Sequence, residues 1–363
     1  MQISVVRPDE LGAGEVDAWH GMQDRDELLA NPFLCPEFAI TIGRFRPCAR
    51  VAVLSDGTGP VGFFPFERGR LGGATAIGMG LSDCQGLVHA PGADWDAEEL
   101  LRKCGIAAWH FDHLVAGQRP FARYQAATAA SPVMDLADGF AGYAEAARER
   151  SPRFWKDLGR KTRKLEREVG ALKLSVDAAD ASDLRVLMRW KSEQYQRTGR
   201  ADRFDQSWVV SVVEDLMAYR TGRFRGVLSV LYAGGTPVAG HFGVAYGGVL
   251  AEWFPAYGTE FARYSPGLIQ LVRMAEDAAA IGVRAIDLGK GEMRYKDELK
   301  SYELTVAEGT VLRPSALAAL HWATAAPPRW AVRQIRKHPP LFNAADKVLK
   351  GMARVKGALR RGR

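Results

Sequence analysis

Two stretches of the chain, VLSDGTGPVGFFPF at 53–66 and VLYAGGTPVAGHFG at 230–243, follow one plan. At an offset of 177, Val53 and Leu54 match Val230 and Leu231, Gly57 matches Gly234, and Pro60 and Val61 match Pro237 and Val238. Each reads as a strand, a glycine-containing turn and a second strand, which is how a hairpin is written. The likeness continues downstream. AWHFDHL at 108–114 follows the helical stretch DAEELLRKCG and sets Asp112 near a strand end, while RAIDLG at 284–289 follows a longer helix and sets Asp287 in the corresponding place. A chain of 363 residues exceeds what one hydrophobic core usually supports. The repeat therefore predicts two versions of one α/β unit, at 1–148 and 171–314, joined by a basic helix over 149–170 and followed by a basic tail over 315–363.

The second unit is the more complete. ALKLSV reads as a strand, ASDLRVLMRWKSEQYQRTG and SWVVSVVEDLMAYR as helices, and GVLSVLYA, PVAGHFGVAYG and GVLAEWFPAY as adjacent strands, with Gly247–Gly248 as a hairpin turn. A helix from Pro266 to about Ala280 follows, then the strand AIDLG and the closing strand LTVAEGTV. Helices, an antiparallel meander and a helix returning to a further strand make a mixed α/β (α+β) fold, not a doubly wound parallel sheet. In SPRFWKDLGRKTRKLEREVG, Ser151 can cap the linking helix and Gly170 ends it. Phe154, Leu158, Leu165 and Val169 form an apolar stripe, and Arg160, Lys161, Arg163, Lys164 and Arg167 cover much of the rest. This is either a solvated linking helix or an electropositive wall beside a cleft for phosphorylated or acidic substrates.

Charge narrows the partners. The net charge is +7, but Arg329 to Arg363 hold eleven Lys and Arg against the single acid Asp346, so the tail carries +10 and the remainder −3. A nucleic-acid-binding body is not implied. From about Asn343 the tail sets Val348, Leu349, Met352, Val355 and Leu359 among lysines and arginines, a pattern that suits either a basic amphipathic helix on anionic lipid or a solvated terminal helix. MQISVVRPDE lacks the pattern of a secretory signal and no long uncharged apolar run occurs, so a cytoplasmic location is expected, with peripheral contact at the inner membrane if the tail binds lipid. The four cysteines include no CxxC pair and read as buried thiols, and no metal site is expected.

Candidate chemistry gathers late in the chain. In GTEFARYSPGLIQL, Ser265, Pro266 and Gly267 open a helix whose N–H groups and positive dipole end suit a phosphate, with Arg263 just before it; the same S-P-G is also simply a good helix cap. Asp287 ends a short apolar strand, where α/β folds tend to place ligand groups. Gly289 and Gly291 then turn the backbone ahead of Glu292, Tyr295, Lys296 and Asp297, but GKG lacks the GxxxxGK[ST] spacing of a P-loop. Lys296 is either solvated or reaches back toward Asp287 and a bound anion. His241 and Glu252 lie on neighbouring strands as candidate general bases. Lys191 and Tyr195 share a helix face, and Asp83 lies in the polar loop LSDCQG. There is no G-x-S-x-G elbow, H-E-x-x-H pair or Cys-His-Asn signature, which speaks against hydrolases and metalloenzymes.

The run from GGTPVAGHFGVAYGGVLAEWFPAY through RYSPG to IDLGKGEMRYKDEL resembles the second half of the GNAT-type acetyltransferases of cellulose and exopolysaccharide biosynthesis (CelD/BcsL type). GPVGFFPFE, LSDCQG and KTRKLEREVG resemble the same family upstream, so the resemblance spans roughly 30–312. It implies tandem GNAT-like domains, an architecture shared with the Fem-type aminoacyl transferases. It also implies transfer of an acyl group, from acetyl-CoA or another acyl-CoA, to an amine or hydroxyl of a sugar, nucleotide-sugar or polysaccharide precursor. On that likeness Arg263, Ser265, Gly267 and Leu268 form the counterpart of the pyrophosphate loop. Asp287, Lys296, His241 and Glu252 are the candidates for catalysis, and Asp83, Lys191, Tyr195, Trp253, Tyr264 and Tyr295 for binding substrate. A lone Gly267 stands where standard GNAT enzymes carry R/Q-x-x-G-x-G/A, and Pro266 removes one N–H donor. Two other readings stay open: a Fem-type aminoacyl-tRNA-dependent transferase, with the basic helix and tail as tRNA contacts, and a non-catalytic accessory protein of a membrane-bound polysaccharide synthase.

Overall fold

The computed structural model describes residues 1–176, 180–219 and 222–313. Its first half runs β1 (Gln2–Val6), α1 (Ala13–Gln23), α2 (Pro36–Phe45), β2 (Ala49–Ser55), β3 (Pro60–Arg68), β4 (Gly73–Ala76), β5 (Val88–His89), α3 (Ala97–Lys103), β6 (Ala108–Val115) and β7 (Gln125–Asp135). Two helices follow, α4 (Gly139–Arg150) and α5 (Pro152–Glu168). The second half runs β8 (Leu172–Val176), α6 (Ala181–Thr198), α7 (Ser207–Ala218), β9 (Phe224–Ala233), β10 (Thr236–Tyr246), β11 (Val249–Tyr257), α8 (Pro266–Ala280), β12 (Ala285–Asp287), α9 (Arg294–Leu299) and β13 (Tyr302–Leu312).

All thirteen strands of the described residues form one sheet, in the order β1-β2-β3-β4-β6-β13-β7-β12-β11-β10-β9-β8, with β5 paired to β3. The order mirrors itself about the β13–β7 pair. In each half a meander ends in one parallel pairing, β4 with β6 and β11 with β12, while the pairs β1 to β4 and β8 to β11 are antiparallel. The two hairpins that repeat in sequence are β2–β3 and β9–β10, and they occupy equivalent places in this mirrored order. The fold is thus mixed α/β, built as two halves of mirrored strand order.

One expectation is corrected. The closing strand LTVAEGTV does not finish the second unit but lies between β6 and β7 of the first, pairing with both, while β7 pairs in turn with β12. Each half gives its last strand to the other, which simple reading in chain order cannot reveal. The helices follow suit. Trp19, Phe33 and Phe38 from the first half share one core with Leu187, Val213, Phe242 and Trp253 from the second. On the opposite face, α3 covers the first half, and α4, α5 and α8 cover the second. Leu158 and Leu165 carry the apolar stripe of α5 into that packing, whereas the side chain of Ser151 makes no capping bond. The basic tail lies outside the described residues. No helix among the described residues is long and apolar enough to cross a membrane.

Candidate functional site

The parallel strands β11 and β12 are paired only from Val249–Ala251 to Ala285–Asp287, so from Glu252 onward β11 runs without β12 beside it. The cause is local. Between β10 and β11 the register passes from Phe242↔Phe254 to Val244↔Ala251, leaving Glu252 and Trp253 opposite Gly243 alone. A bulge of this kind bends its strand and re-aims side chains. Only glycine fits at 243, because a Cβ there would lie 2.2 Å from the carbonyl oxygen of Ala251 and 2.6 Å from the His241 ring.

The matching gap in the first half is filled by the chain itself. β4 pairs β6 over Gly73–Thr75 and Ala108–His110, and beyond it Gln85 bridges to Leu114, its amide donating to His113 O at 2.9 Å and its carbonyl accepting from Val115 N at 2.9 Å. Of two related gaps, the one beside β11 is left unfilled among the described residues.

β11 leads through a short turn to α8. Ser265 takes the left-handed conformation, φ 53° and ψ 51°, which costs a non-glycine residue roughly 1 kcal/mol or more. Pro266 then occupies the first helical position, where its missing N–H matters least. Lys161 of α5 donates to Ser265 Oγ at 3.0 Å. Around this helix start lies a cleft of about 450 Å³, walled by Arg153, Asp157 and Lys161 of α5, by Ser265 and Leu268, and by Arg294 and Tyr295 of α9. A Cβ on Gly267 would meet only Tyr257, at an ordinary 3.5 Å.

Beneath Tyr295, ionisable groups from both halves meet in the interior. Glu252 is 8% exposed, and burial pushes its carboxyl up to about 7 against the pull of Lys296 and Lys191, with the Tyr295 hydroxyl beside it. Lys191 of α6 donates to Pro255 O at 2.9 Å and lies 5.6 Å from the Tyr195 ring; burial lowers it to about 8 although Glu252 resists. Lys296 donates to Gly289 O at 2.8 Å, and burial lowers it too, opposed by Glu252, Asp83 and Asp287. Asp287 accepts from Ser131 Oγ at 2.6 Å and from Gly289 N at 2.9 Å, with burial raising its carboxyl against those bonds. Asp83, from the first half, has Oδ2 so close to Gly289 that a Cβ there would meet it at 3.6 Å. Burial, with Asp287 and Asp112 adding to it, lifts Asp83 to about 6 despite His113.

Asp83, Lys191, Tyr195, Glu252, Asp287, Tyr295 and Lys296 are therefore drawn toward one place. Trp253 supports it from below, donating Nε1–H to Leu81 O at 2.7 Å and so pinning the start of the Asp83 loop. Three expected residues are elsewhere. His241 is fully buried, its Nε2 accepts from Trp253 N at 3.3 Å inside the bulge, and burial holds it down to about 3. A ring in that position shapes the bulge and is not placed to take a proton from an acceptor. Arg263 stacks over the Tyr264 ring at 4.7 Å and pairs with Glu168, and Tyr264, buried, donates to Glu168 at 2.7 Å. These two tie the turn before α8 to α5 instead of facing the cleft.

Sequence reasoning missed Ser131, Gly243, His113 and Lys290. Ser131 reaches Asp287 only because β7 is exchanged into the second half, and no local pattern marks that. Gly243 was readable as a glycine inside a strand, a usual sign of a bulge. Among the described residues no group of three or more His, Cys, Asp or Glu side chains could hold a metal ion.

Residues 141–297 match the family model described as acetyltransferase (GNAT) domain. Among solved structures, that of FemX is 12% identical at a TM-score of 0.55, covering 85% of this chain and 96% of that one. A conserved protein of unknown function from Bacteroides thetaiotaomicron is 10% identical at a TM-score of 0.53, with 85% and 100% covered. A tandem GNAT protein from the clavulanic acid biosynthesis pathway is 15% identical at 0.46, with 86% and 100% covered. No curated protein matches the chain. With a GNAT acetyltransferase domain across 141–297, set in a two-half fold shared with FemX, the protein is an acyltransferase.

Proposed function

We propose that the second half holds an acyl-CoA donor and that the acyl group passes to an amine or hydroxyl of a sugar, nucleotide-sugar or polysaccharide precursor. The observation that carries the reading is the gap between β11 and β12, which opens at Glu252, whose neighbour Tyr295 also lines the cleft at the start of α8. An extended pantetheine arm fits along the strand edge that β12 leaves uncovered, with its phosphates toward the N–H groups of α8 and the cations Lys161, Arg153 and Arg294. The thioester then lies near Asp287, Glu252 and Lys296. Attack by the acceptor forms the new C–N or C–O bond, breaks the C–S bond and releases free thiol, with the acceptor's proton leaving through a nearby carboxylate. Groups held this closely by buried hydrogen bonds are ordered in advance, which is most of what direct transfer requires. Asp287 and Lys296 are proposed to order donor or acceptor, and Lys191, Tyr195 and Asp83 to line the acceptor side.

The test is calorimetric titration with acetyl-CoA and longer acyl-CoAs, and with uncharged tRNA in parallel. Saturable acyl-CoA binding, lost in Gly267→Trp, supports the reading. Binding of tRNA alone moves the assignment to an aminoacyl-tRNA-dependent transferase, a reading favoured by the cations of α5 at the cleft. Binding of neither leaves the accessory role beside a polysaccharide synthase. The basic tail is proposed to touch an anionic membrane surface; liposome binding by the full chain that vanishes without residues 329–363 supports this, and no binding by the full chain refutes it.

A further inference from the structure

Two carboxyls of the cluster lie close to neutrality, but their surroundings differ. Glu252 is enclosed by Tyr295, Lys191 and Lys296, none of which at neutral pH is a ready proton acceptor. Asp83 is open on one side, with about a third of its side chain accessible, and faces an imidazole: its Oδ1 is 3.6 Å from His113 Nε2. Behind that ring, His113 Nδ1 is 2.9 Å from Asp112 Oδ1. Asp112 is itself fixed. Gln85 Nε2 donates to Asp112 Oδ1 at 2.7 Å, Gln85 Oε1 accepts from Asp112 N at 2.9 Å, and Lys290 of the second half donates to Asp112 O at 2.7 Å. The ring thus stands between two carboxylates, with its tautomer set by the inner one.

We propose that Asp83 takes the acceptor's proton and shares it with His113, which Asp112 orients, so that the first half supplies the proton path for a donor held by the second. The inference rests on the acyl-transfer reading for its substrate but not for its geometry. As the acceptor attacks the acyl carbon its N–H or O–H proton moves to Asp83, and from there to His113 Nε2, making an imidazolium flanked by Asp83 and Asp112. The same proton returns through Asp83 to the departing thiolate, so acceptor and acyl-CoA become acylated acceptor and free CoA thiol with no other reactant. The 3.6 Å separation is longer than a hydrogen bond, and such contacts commonly tighten when substrate fills an apo site. The charged and titratable groups facing Asp83 are His113 and Asp112 from β6, Asp287 at the end of β12, Lys296 from α9 and Lys191 from α6; the two carboxylates oppose its ionised form, and His113 and the lysines favour it. Asp112 behaves oppositely: burial works against its charge, but His113 and Gln85 outweigh it and hold its carboxyl low.

The test uses the full chain with 13C-labelled histidine, following the His113 Cε1 signal from pH 4.5 to 8 and assigning it with His113→Gln. A step near pH 6 that disappears in Asp83→Asn is the expected result. No step in the wild type, or an unchanged step in Asp83→Asn, overturns the proposal. Thiol release from acetyl-CoA with glucosamine gives the second readout: His113→Ala should lower kcat about 10- to 100-fold with KM for acetyl-CoA nearly unchanged, and added imidazole should restore several-fold. A loss of rate that imidazole does not relieve counts against the relay. Absence of acetyl-CoA binding by calorimetry refutes the donor reading instead, and the resonance experiment still decides the relay.

Discussion

Replacing Glu252 with glutamine separates the cost of burying a charge from the use made of it. The carboxyl ordinarily ionises near 4.5 and here does so at about 7. Between those values the folded protein retains a proton that the unfolded chain has lost, so stability falls as pH rises from 4.5 through 7. At 1.36 kcal/mol per unit the loss is about 3 kcal/mol, complete above pH 7, and the attraction of Lys296 and Lys191 is already contained in it. Glutamine has no such proton to lose. Below pH 4.5 the variant should match the wild type in this respect, and at pH 8 it should be the more stable by about 3 kcal/mol, a rise in Tm of about 4 °C for a chain of 363 residues. Urea unfolding at pH 4.5, 6 and 8, followed by tryptophan fluorescence, measures the difference. A gain that does not grow with pH would show that Glu252 is not buried as a costly charge, and the reasoning about the whole cluster would fail with it. If stability rises as expected while turnover falls, the position is one where the fold gives up stability for activity.

Other positions make sharper demands. Gly243→Ala places a Cβ 2.2 Å from Ala251 O, so the bulge must shift; a loss of at least 2–3 kcal/mol, roughly, is expected in thermal unfolding, and a silent substitution would refute the bulge geometry. Trp253→Phe removes the bond to Leu81 O and leaves that carbonyl buried, costing about 1–3 kcal/mol in urea unfolding, with proteolysis near Asp83 as a local check. Asp287→Ala and Lys296→Ala should each reduce turnover strongly with the circular dichroism spectrum unchanged; near-wild-type rates in both would remove them from the site. Lys161→Ala frees Ser265 Oγ and should weaken acetyl-CoA binding several-fold in calorimetry, more at low salt than at high.

Much of the fold was legible because it depends on local pattern. The 53–66 and 230–243 hairpins, the helix from Pro266 to Ala280 and the Gly247–Gly248 turn are each announced by periodicity or turn chemistry, and they appear as β2–β3, β9–β10, α8 and the β10–β11 turn. What sequence could not convey was pairing between distant segments. Nothing in LTVAEGTV says that it lies beside AWHFDHLV. The site divides in the same way. The residues of IDLGKGEMRYKDEL lie close together because they are close in sequence, whereas Ser131 comes to them on the exchanged strand β7, and His113 and Asp112 come on β6, a strand of the other half. For His241, alternation along a strand identifies its neighbours across the hairpin, but not the full burial of its ring or the bond it accepts from Trp253 N at the bulge.

The exchange of β7 and β13 also has a consequence for synthesis of the chain on the ribosome. β6 is complete at Val115, yet the strand that covers its edge begins at Tyr302. At roughly 5–20 residues per second that edge waits on the order of 10–40 s for its partner. During that interval the first half has an unclosed sheet, the kind of edge that invites pairing with another chain. The first half's sheet is therefore completed only when β13 emerges, and a fragment ending before residue 302 lacks the strand that joins β6 to β7.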